Sequence, residues 1–464
     1  MFLVTHRREQ VARWQGHGHV TALSLNRLTR AHTAEIVRNV AGSKSLPPEV
    51  LGQIVAKTDG VPLFSEELTK TVLESKLLRE EADRYVLSAP LPKLAIPTTL
   101  QDSLLARLHH LAPIKELVQI GATIGREFSY RMLEALSPAP NRDLDAALAQ
   151  LAQSELIRVE GTPPNAIYSF KHALVRDTAY STLLRGRRQE LHTRIGQVLE
   201  QRFPTVAERQ PELVAHHLTE AGLVERAIDW WLKAGERALQ GSANVEASRH
   251  LSRAIELLNT LPASRKRDER EIEIRTKLRV PLYVTTGYAS PEMEANYGRI
   301  WILAERLGST ARMLRVLLGQ ATITLVRSDL ARTHEQMRRF MALAQGAGDR
   351  NALVAGRHII GYAHLIAGEI RAARDGLEEA IAAYDRQDAD SFLAMYDMNL
   401  IPCSMCAPLL AMQQLGYADQ AAQIAACAVS DAKQSGHQLT LAYVLYHAAL
   451  FYMIGGDRSR MEPV

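Results

Sequence analysis

Apolar residues recur at helical spacing along most of this chain, from Ala31 onward. That period gives each segment one apolar stripe, as amphipathic helices require. Two short stretches near the start follow another pattern. Residues 2–4 form a continuous apolar run, and residues 19–29 alternate apolar and polar positions. Both patterns are typical of strands, so the sequence predicts a mainly α protein that begins with two strands of a sheet.

Proline and glycine divide the helical region into segments. Residues 47–78 predict two helices that are separated at Asp59, Gly60 and Pro62, because these residues cannot continue the first helix. Three further prolines between residues 90 and 97 mark the next boundary.

A change of period marks the segment that follows. Thr98 and Gln101 form a predicted capping box, and helical spacing continues beyond it. Residues 156–160 and 166–170 then flank a Gly-Thr-Pro-Pro-Asn turn, which predicts a hairpin. Three helices followed by a hairpin have the order of a winged helix. We therefore expect a winged-helix domain here, with long helices after it.

Small residues recur in a fixed frame in the C-terminal part of the chain. Gly361, Gly368, Ala373 and Ala380 have the offsets of the tetratricopeptide repeat (TPR), in which small residues let two antiparallel helices approach closely. The frame recurs at Gly416, Ala421 and Ala428, at Gly222, Ala227 and Ala234, and more weakly at Thr333 and Phe340.

These copies lie 40 and 48 residues apart, so the sequence predicts long TPR-like hairpins over residues 205–464. One more copy would place Ala449 and Gly456 in its first helix. The frame therefore predicts that the repeat array is truncated inside a second helix.

Composition narrows the class of protein. The chain has 464 residues, of which 47% are hydrophobic, enough for about three packed domains. The net charge of +4 arises from 55 basic and 51 acidic residues in mixed order, so charge alone indicates no partner. Three cysteines and no apolar leader predict a cytoplasmic protein. Residues 439–456 lack formal charges, but His447 and the repeat frame favour a repeat helix over a membrane span.

No catalytic or metal site is predicted. The Gly42-Ser43-Lys44-Ser45 stretch lacks the spacing of a phosphate-binding loop, and no other segment provides one. Cys403 and Cys406 have the spacing of half a zinc site, but no second pair follows, so helix packing is favoured. The paired histidines also lack further ligands. We find no set of nucleophile, base and orienting residue.

DNA binding through the predicted winged helix is disfavoured. The helix that would enter the major groove carries Asp143 and Asp145, with Glu155 just beyond, against Arg142 alone. Phosphate repulsion opposes such a contact.

Several motifs, taken together, resemble a known family. They are DGVPLFSEELTKTVLES, QIGATIGREFSY, YSFKHALVRDTAY and TTGYASPEMEANYGRIWILAERLG. In this order they are similar to the signal-transduction ATPases with numerous domains (STAND), in particular the bacterial predicted ATPases fused behind a class III adenylate/guanylate cyclase domain. The resemblance covers essentially the whole chain.

The resemblance implies a partial nucleotide site. Thr5 and Arg7 match the sensor-1 strand of a P-loop sheet, and Gly60 and Pro62 match a motif near the adenine in the helical lid. His172 matches a winged-helix histidine that contacts the bound diphosphate in the inactive state. Intact relatives would bind ATP or ADP with Mg²⁺. The phosphate loop, the acidic Mg²⁺-holding strand and the cyclase are expected before Met1, so we expect no cofactor for this chain alone.

The resulting expectation is a four-part chain. Residues 1–30 would be a remnant of the P-loop sheet, poorly ordered or mispaired without its central strand. Residues 31–94 would form the helical lid, residues 95–204 the winged helix with linking helices, and residues 205–464 the TPR-like solenoid.

Three functions remain open from the sequence. The first is a non-catalytic regulatory part of a STAND ATPase, which acts beside an ATPase or cyclase subunit. The second is a free-standing scaffold whose solenoid groove binds a protein or peptide. The third, disfavoured, is a winged-helix transcription factor. TPR geometry predicts that the groove residues are His358, Tyr362, Gln413, Tyr443 and Tyr446.

Overall fold

Helices dominate the structure, as the sequence predicts. The computed structural model describes residues 24–42, 44–75, 77–88, 97–110, 114–137, 141–383 and 400–456. The chain divides into two units, residues 1–203 and residues 204–464. The remnant strand at residues 2–4, with Thr5 and Arg7, lies outside the described residues.

The first unit contains nine helices and five strands among its described residues. Its helices are α1 (Arg30–Val40), α2 (Pro48–Thr58), α3 (Pro62–Glu74), α4 (Leu100–His110), α5 (Lys115–Ile124), α6 (Tyr130–Leu136), α7 (Asn141–Gln153), α8 (Ala173–Ser181) and α9 (Arg185–Arg202). Its strands are β1 (Leu78–Glu80), β2 (Tyr85–Leu87), β3 (Glu127–Ser129), β4 (Ile157–Glu160) and β5 (Ile167–Phe170).

The turn between α2 and α3 explains why residues 24–29, the described part of the second predicted strand, do not form a strand. Residues 24–29 have no strand structure. The Leu28 N–H instead donates to the Gly60 carbonyl at 2.8 Å. Gly60 has a φ of +70°, and a Cβ there would lie 2.3 Å from the Leu28 oxygen. Only glycine fits this turn, and the strand prediction is wrong for residues 24–29 because this segment contacts the turn.

Two local predictions need correction. The cap of α4 is Thr99, whose hydroxyl accepts from the Asp102 N–H at 3.0 Å and donates to the Asp102 carboxylate at 2.6 Å. The cap therefore lies one residue later than Thr98, and its side-chain partner is Asp102 rather than Gln101. The β1–β2 hairpin, in which Arg79 pairs with Val86, was not predicted.

A three-stranded antiparallel sheet follows α5. The predicted β4–β5 hairpin is present, and β3 adds to β5 in the order β3-β5-β4. Phe128 of β3 stacks on Tyr168 and meets Phe170 edge to face. These rings cover one face of the small sheet, which lies beside α5 and α6. The winged-helix assignment of this region stays a prediction.

The second unit is helical throughout its described residues. Its helices are α10 (Pro204–Arg209), α11 (Pro211–Glu220), α12 (Val224–Gln240), α13 (Asn244–Leu258), α14 (Arg265–Thr286), α15 (Pro291–Leu307), α16 (Thr310–Val326), α17 (Leu330–Ala347), α18 (Arg350–Ile366), α19 (Ile370–Ala382), α20 (Leu400–Cys406), α21 (Leu409–Gln414), α22 (Ala418–Ser435) and α23 (Gln438–Ile454).

Sequential helices of this unit pack against one another. Helices α16 and α18 begin 40 residues apart, α18 and α23 begin 88 residues apart, and each has 17 residues. Gly361 is a close approach point, since a Cβ there would lie 2.5 Å from Cγ of Leu377. Gly361 thus lies where two helices approach closely, as the small-residue frame predicts. The second unit has the arrangement of a helical solenoid.

No helix among the described residues has both the length and the apolar character that a membrane crossing requires. Helix α23, which contains most of the uncharged stretch, packs instead against α20 and α22.

Candidate functional site

His172 lies where the sheet of the first unit meets α8. It directly precedes α8 and follows Lys171, which comes just after β5. Its Nε2 atom is buried and has no hydrogen-bond partner among the described residues. Burial lowers the pKa of His172 below its ordinary value, while the carboxylates of Glu67 and Glu66 oppose that shift. The imidazole is therefore neutral at pH 7, with one nitrogen unused.

Four charged side chains join α3 to the region around His172. Lys171 Nζ lies 3.0 Å from Glu66 Oε1 and 2.9 Å from Glu155 Oε2. Lys70 Nζ lies 2.6 Å from the same Glu66 oxygen and 2.5 Å from the same Glu155 oxygen. Hydrogen bonds from Lys70 and Lys171 lower the pKa of Glu155 to about 2. The two lysines thus bridge two carboxylates from distant parts of the sequence.

A buried arginine lies at the same junction. Arg107 of α4 is 2% exposed and donates to the carboxylate of Glu67, which is 1% exposed. It also donates to Glu74 Oε1 at 3.0 Å and to the Ser154 carbonyl at 2.6 Å. One guanidinium therefore connects α3, α4 and the residue that follows α7. Such a pair is costly to break, because each charge depends on the other for solvation.

The structure brings two of the sequence motifs together. Pro62 begins α3, directly after the turn at Gly60, and α3 carries Glu66, which Lys171 binds next to His172. The motifs are more than 100 residues apart in sequence, yet α3 links them. Sequence reasoning missed Lys70, Glu155 and Lys171. Only the i,i+4 spacing of Glu66 and Lys70 was a visible signal.

The predicted groove residues of the second unit partly meet. The Tyr443 hydroxyl donates to the Tyr362 hydroxyl at 3.0 Å, which joins α23 to α18. The His447 ring lies 4.1 Å from the Tyr443 ring. Burial raises the pKa of both tyrosines. These two hydroxyls therefore pair with each other inside the solenoid.

The other three groove residues have different surroundings. His358 is 5% exposed, and its Nδ1 lies 2.9 Å from the Ser404 hydroxyl of α20. Burial lowers the pKa of His358 to about 4. Gln413 is half-buried, with an Oε1 that lacks a partner among the described residues, and Tyr446 is 64% exposed. Only Tyr446 of the five is freely exposed, so the predicted set does not form one open surface.

The cysteines pack in the core of the solenoid. Cys403 and Cys406 are buried, and burial raises the pKa of Cys406 to about 12. Their thiols are therefore protonated and unreactive at pH 7. Among the described residues, no group of three or more His, Cys, Asp or Glu side chains has an arrangement that could hold a metal ion.

Comparison with known proteins gives limited guidance. No family model matches the chain. An uncharacterized protein of Rhizobium meliloti is 24% identical over 394 residues, which are 84% of this chain and 38% of that protein. The chain thus spans well under half the length of this curated relative.

One solved structure with a loose overall likeness is a STAND protein with a tetratricopeptide repeat sensor from Pyrococcus horikoshii. It is 14% identical to this chain, with a TM-score of 0.36, and the alignment covers 96% of this chain and 72% of that one.

Proposed function

We propose that this chain is the regulatory part of a STAND-type, ATP-dependent signalling protein associated with an adenylate cyclase. Its TPR-like repeats bind a protein partner, and its first unit responds to the nucleotide. The observation that carries the proposal is the contact between Lys171 and Glu66 at 3.0 Å. This contact couples the helix that begins at Pro62 to the neighbour of His172.

His172 would act as the nucleotide-sensing residue. A half-buried neutral imidazole whose buried Nε2 has no partner among the described residues gains a hydrogen bond when a phosphate oxygen approaches it. The oxygens of a diphosphate there would also compete with the present carboxylate partners for Lys70 and Lys171. Binding would therefore change the contacts that hold α3 near α8, so that the nucleotide-bound and nucleotide-free forms would differ in these contacts.

The chain by itself is not expected to bind nucleotide tightly. Its sequence contains no Gly-x4-Gly-Lys-Ser/Thr loop, and phosphoryl chemistry depends on such a backbone cradle with its lysine and metal ion. We expect residues outside this sequence, or a separate subunit, to supply the loop.

Nucleotide binding can be tested in two steps. At about 1 mM Mg-ADP, the chain alone should show no rise in Tm, whereas a Kd near 10 μM would stabilise it by about 2.7 kcal/mol. In a protein or complex that supplies the loop, His172→Ala should weaken the binding of ADP about tenfold and leave the affinity for ATP nearly unchanged. His250→Ala, a partly buried histidine of the second unit, is the control.

A clear stabilisation of the isolated chain by ADP would contradict the first expectation. Equal ADP affinities of the wild type and the His172→Ala variant would contradict the sensing role.

The alternative is a free-standing helical-repeat scaffold. The exposure of Tyr446 on α23 favours it, because His358, the residue at the equivalent position of α18, is buried. Selection of peptides from a random library on the full chain, followed by measurement of their affinity for Tyr446→Ala, tests it. Peptide binding that is independent of any nucleotide or second subunit would support the scaffold over the regulatory part.

A further inference from the structure

Glu155 follows helix α7 in a backbone conformation that few residues adopt. Its φ is +55°, in the left-handed region. Its N–H donates to the Ala152 carbonyl at 3.0 Å, and the N–H of Leu156 donates to the Leu151 carbonyl at 3.3 Å. These two bonds close the C-terminal turn of the helix in an arrangement that usually has glycine at the position of Glu155.

Two other helices of the chain end with the usual residue. Gly308 follows α15 and Gly348 follows α17, with φ of +65° and +64° and the same two backbone hydrogen bonds. A Cβ makes this conformation unfavourable, so glutamate costs stability at a position where glycine would not. The contacts of the Glu155 side chain offset that cost.

Those contacts join one carboxylate to two lysines. Glu155 Oε2 lies 2.5 Å from Lys70 Nζ and 2.9 Å from Lys171 Nζ. The side chain of Glu155 is 55% exposed, whereas those of Lys70 and Lys171 are 15% and 20% exposed. Glu66, the second carboxylate, is 29% exposed. Because Glu155 is the most exposed of the four side chains, it is the one that a solute reaches first.

Glu155 can leave the lysines more easily than Glu66 can. Glu66 is on the same helix as Lys70, four positions before it, and is held there by the helix. The turn that carries Glu155 is fixed independently of its side chain, because Arg107 Nη2 donates to the Ser154 carbonyl at 2.6 Å. Rotation of the Glu155 side chain alone would therefore release both lysines while the turn stays in place.

Departure of that carboxylate would leave a site for an oxoanion. Lys70 and Lys171 would then keep only Glu66 as a near partner. Glu67 lies farther away, 3.9 Å from Lys70, and is bound to Arg107. Both lysines now donate to a single oxygen of the departing carboxylate. A phosphate oxygen at that place would accept the same two charge-assisted hydrogen bonds.

We propose that Glu155 is an internal competitor for a phosphate group, which binds Lys70 and Lys171 when the Glu155 carboxylate rotates away. The contact is thus autoinhibitory, since a residue of the chain occupies the site until an oxoanion displaces it. That the phosphate belongs to a nucleotide rests on the proposed function, whereas the displacement of Glu155 by a phosphate group does not.

The test uses inorganic pyrophosphate as the probe, titrated into the full chain by isothermal titration calorimetry. We expect Glu155→Gly to bind it at least tenfold more tightly than the wild type does, because the competing carboxylate is gone. Glu155→Asn should show a similar gain, since asparagine tolerates the left-handed conformation and carries no charge. Adding Lys171→Met to Glu155→Gly should remove the gain.

Glu81→Gly is the matched control. Glu81 also pairs with two cations, Arg79 at 3.2 Å and Arg84 at 3.1 Å, so its loss changes the net charge equally. Both arginines are well exposed and solvated, so this variant should bind pyrophosphate as weakly as the wild type. Circular dichroism verifies that each variant is folded.

Equal affinities of the wild type, Glu155→Gly and Glu155→Asn would overturn the proposal. So would a gain that Lys171→Met does not remove, since it would reflect net charge alone. A gain for pyrophosphate without one for ADP would overturn the nucleotide as the source of the phosphate. The His172→Ala comparison uses a protein or complex that supplies the loop, so failure of the sensing role and failure of this proposal are distinguishable.

Discussion

A single glycine shows how closely the repeat helices approach each other. Gly361→Ala would place a methyl group 2.5 Å from Cγ of Leu377, a fully buried residue that cannot move aside. Overpacking of this kind costs about 1–3 kcal/mol, more than the roughly 1 kcal/mol that alanine gains over glycine in a helix. We therefore expect Gly361→Ala to lower the free energy of unfolding, as measured by urea denaturation.

Gly376 supplies the matched control. It lies in the next helix, α19, and a Cβ there would meet no atom within 4 Å. Gly376→Ala should stabilise the chain by up to about 1 kcal/mol. If both substitutions stabilised the protein equally, the close approach of α18 and α19 would be wrong.

His358 predicts a dependence of stability on pH. Its folded pKa of about 4 lies below the ordinary value of 6.5, so the unfolded chain binds more protons between these values. Stability from this group is complete above about pH 6.5 and is lost as the pH falls toward 4, by about 2 kcal/mol at pH 5.

His358→Asn keeps a side chain that can bond to Ser404 and removes the titration. Urea denaturation at pH 7.5 and pH 5.0 should therefore show a smaller decrease in the free energy of unfolding for this variant than for the wild type. An identical decrease in both proteins would contradict the assignment of the shift to His358.

At the scale of elements, the sequence predicted the features that depend on residues close together in the chain. The helices α2 and α3, the break at Gly60 and the β4–β5 hairpin follow from periodicity and from turn residues, and all are present. Strands β1, β2 and β3 have three residues each, too few to show alternation: β1 and β2 pair with each other in a short hairpin, and β3 pairs with the distant β5. Their pattern alone could not distinguish them from loops.

The junction near His172 was unpredictable for a similar reason. Glu66 and Lys171 are separated by 105 positions, and Arg107 and Ser154 by 47. Charged residues are mostly exposed, so the sequence alone favoured solvated surface positions for all of them. In the groove, helical periodicity identified the aromatic positions but not the neighbour that covers each one. His358 was therefore predicted on the surface although α20 buries it.

The buried arginine links three elements, and its removal should affect all of them. Arg107→Met would leave the carboxylate of Glu67, which is 1% exposed, with only the more distant Lys70 at 3.9 Å as a partner. Breaking such a pair costs about 3–5 kcal/mol. We expect a lower urea midpoint and faster hydrogen exchange in α3 and α4.

Adding Glu67→Gln to Arg107→Met should recover part of the loss, because the orphaned charge is removed. Arg79→Met is the control, since its side chain is 73% exposed in a surface pair, and it should change stability by less than about 0.5 kcal/mol. A similar small effect of Arg107→Met would mean that the buried network contributes little.

At the scale of the molecule, the regular spacing of the repeats determines most of the architecture of the second unit. Because α16, α18 and α23 recur in one frame, a few small residues in the sequence predict the solenoid of the second unit. The partner is not determined by that frame. It depends on which side chains the solenoid leaves uncovered, and the exposed apolar side chains of the second unit are spread over several helices, as Val245, Ile302 and Tyr446 are.

Charge at this scale argues against DNA as the partner. A net charge of +4 over 464 residues gives a weak overall field. Asp143 and Asp145 are exposed on α7, and Asp145 also accepts a hydrogen bond from Tyr130. At about 0.15 M salt we expect the chain to bind a random 20-base-pair duplex more weakly than about 0.1 mM, as measured by fluorescence anisotropy. Binding that falls steeply with salt and weakens with Arg158→Ala, on the exposed strand β4, would instead support a winged-helix DNA contact.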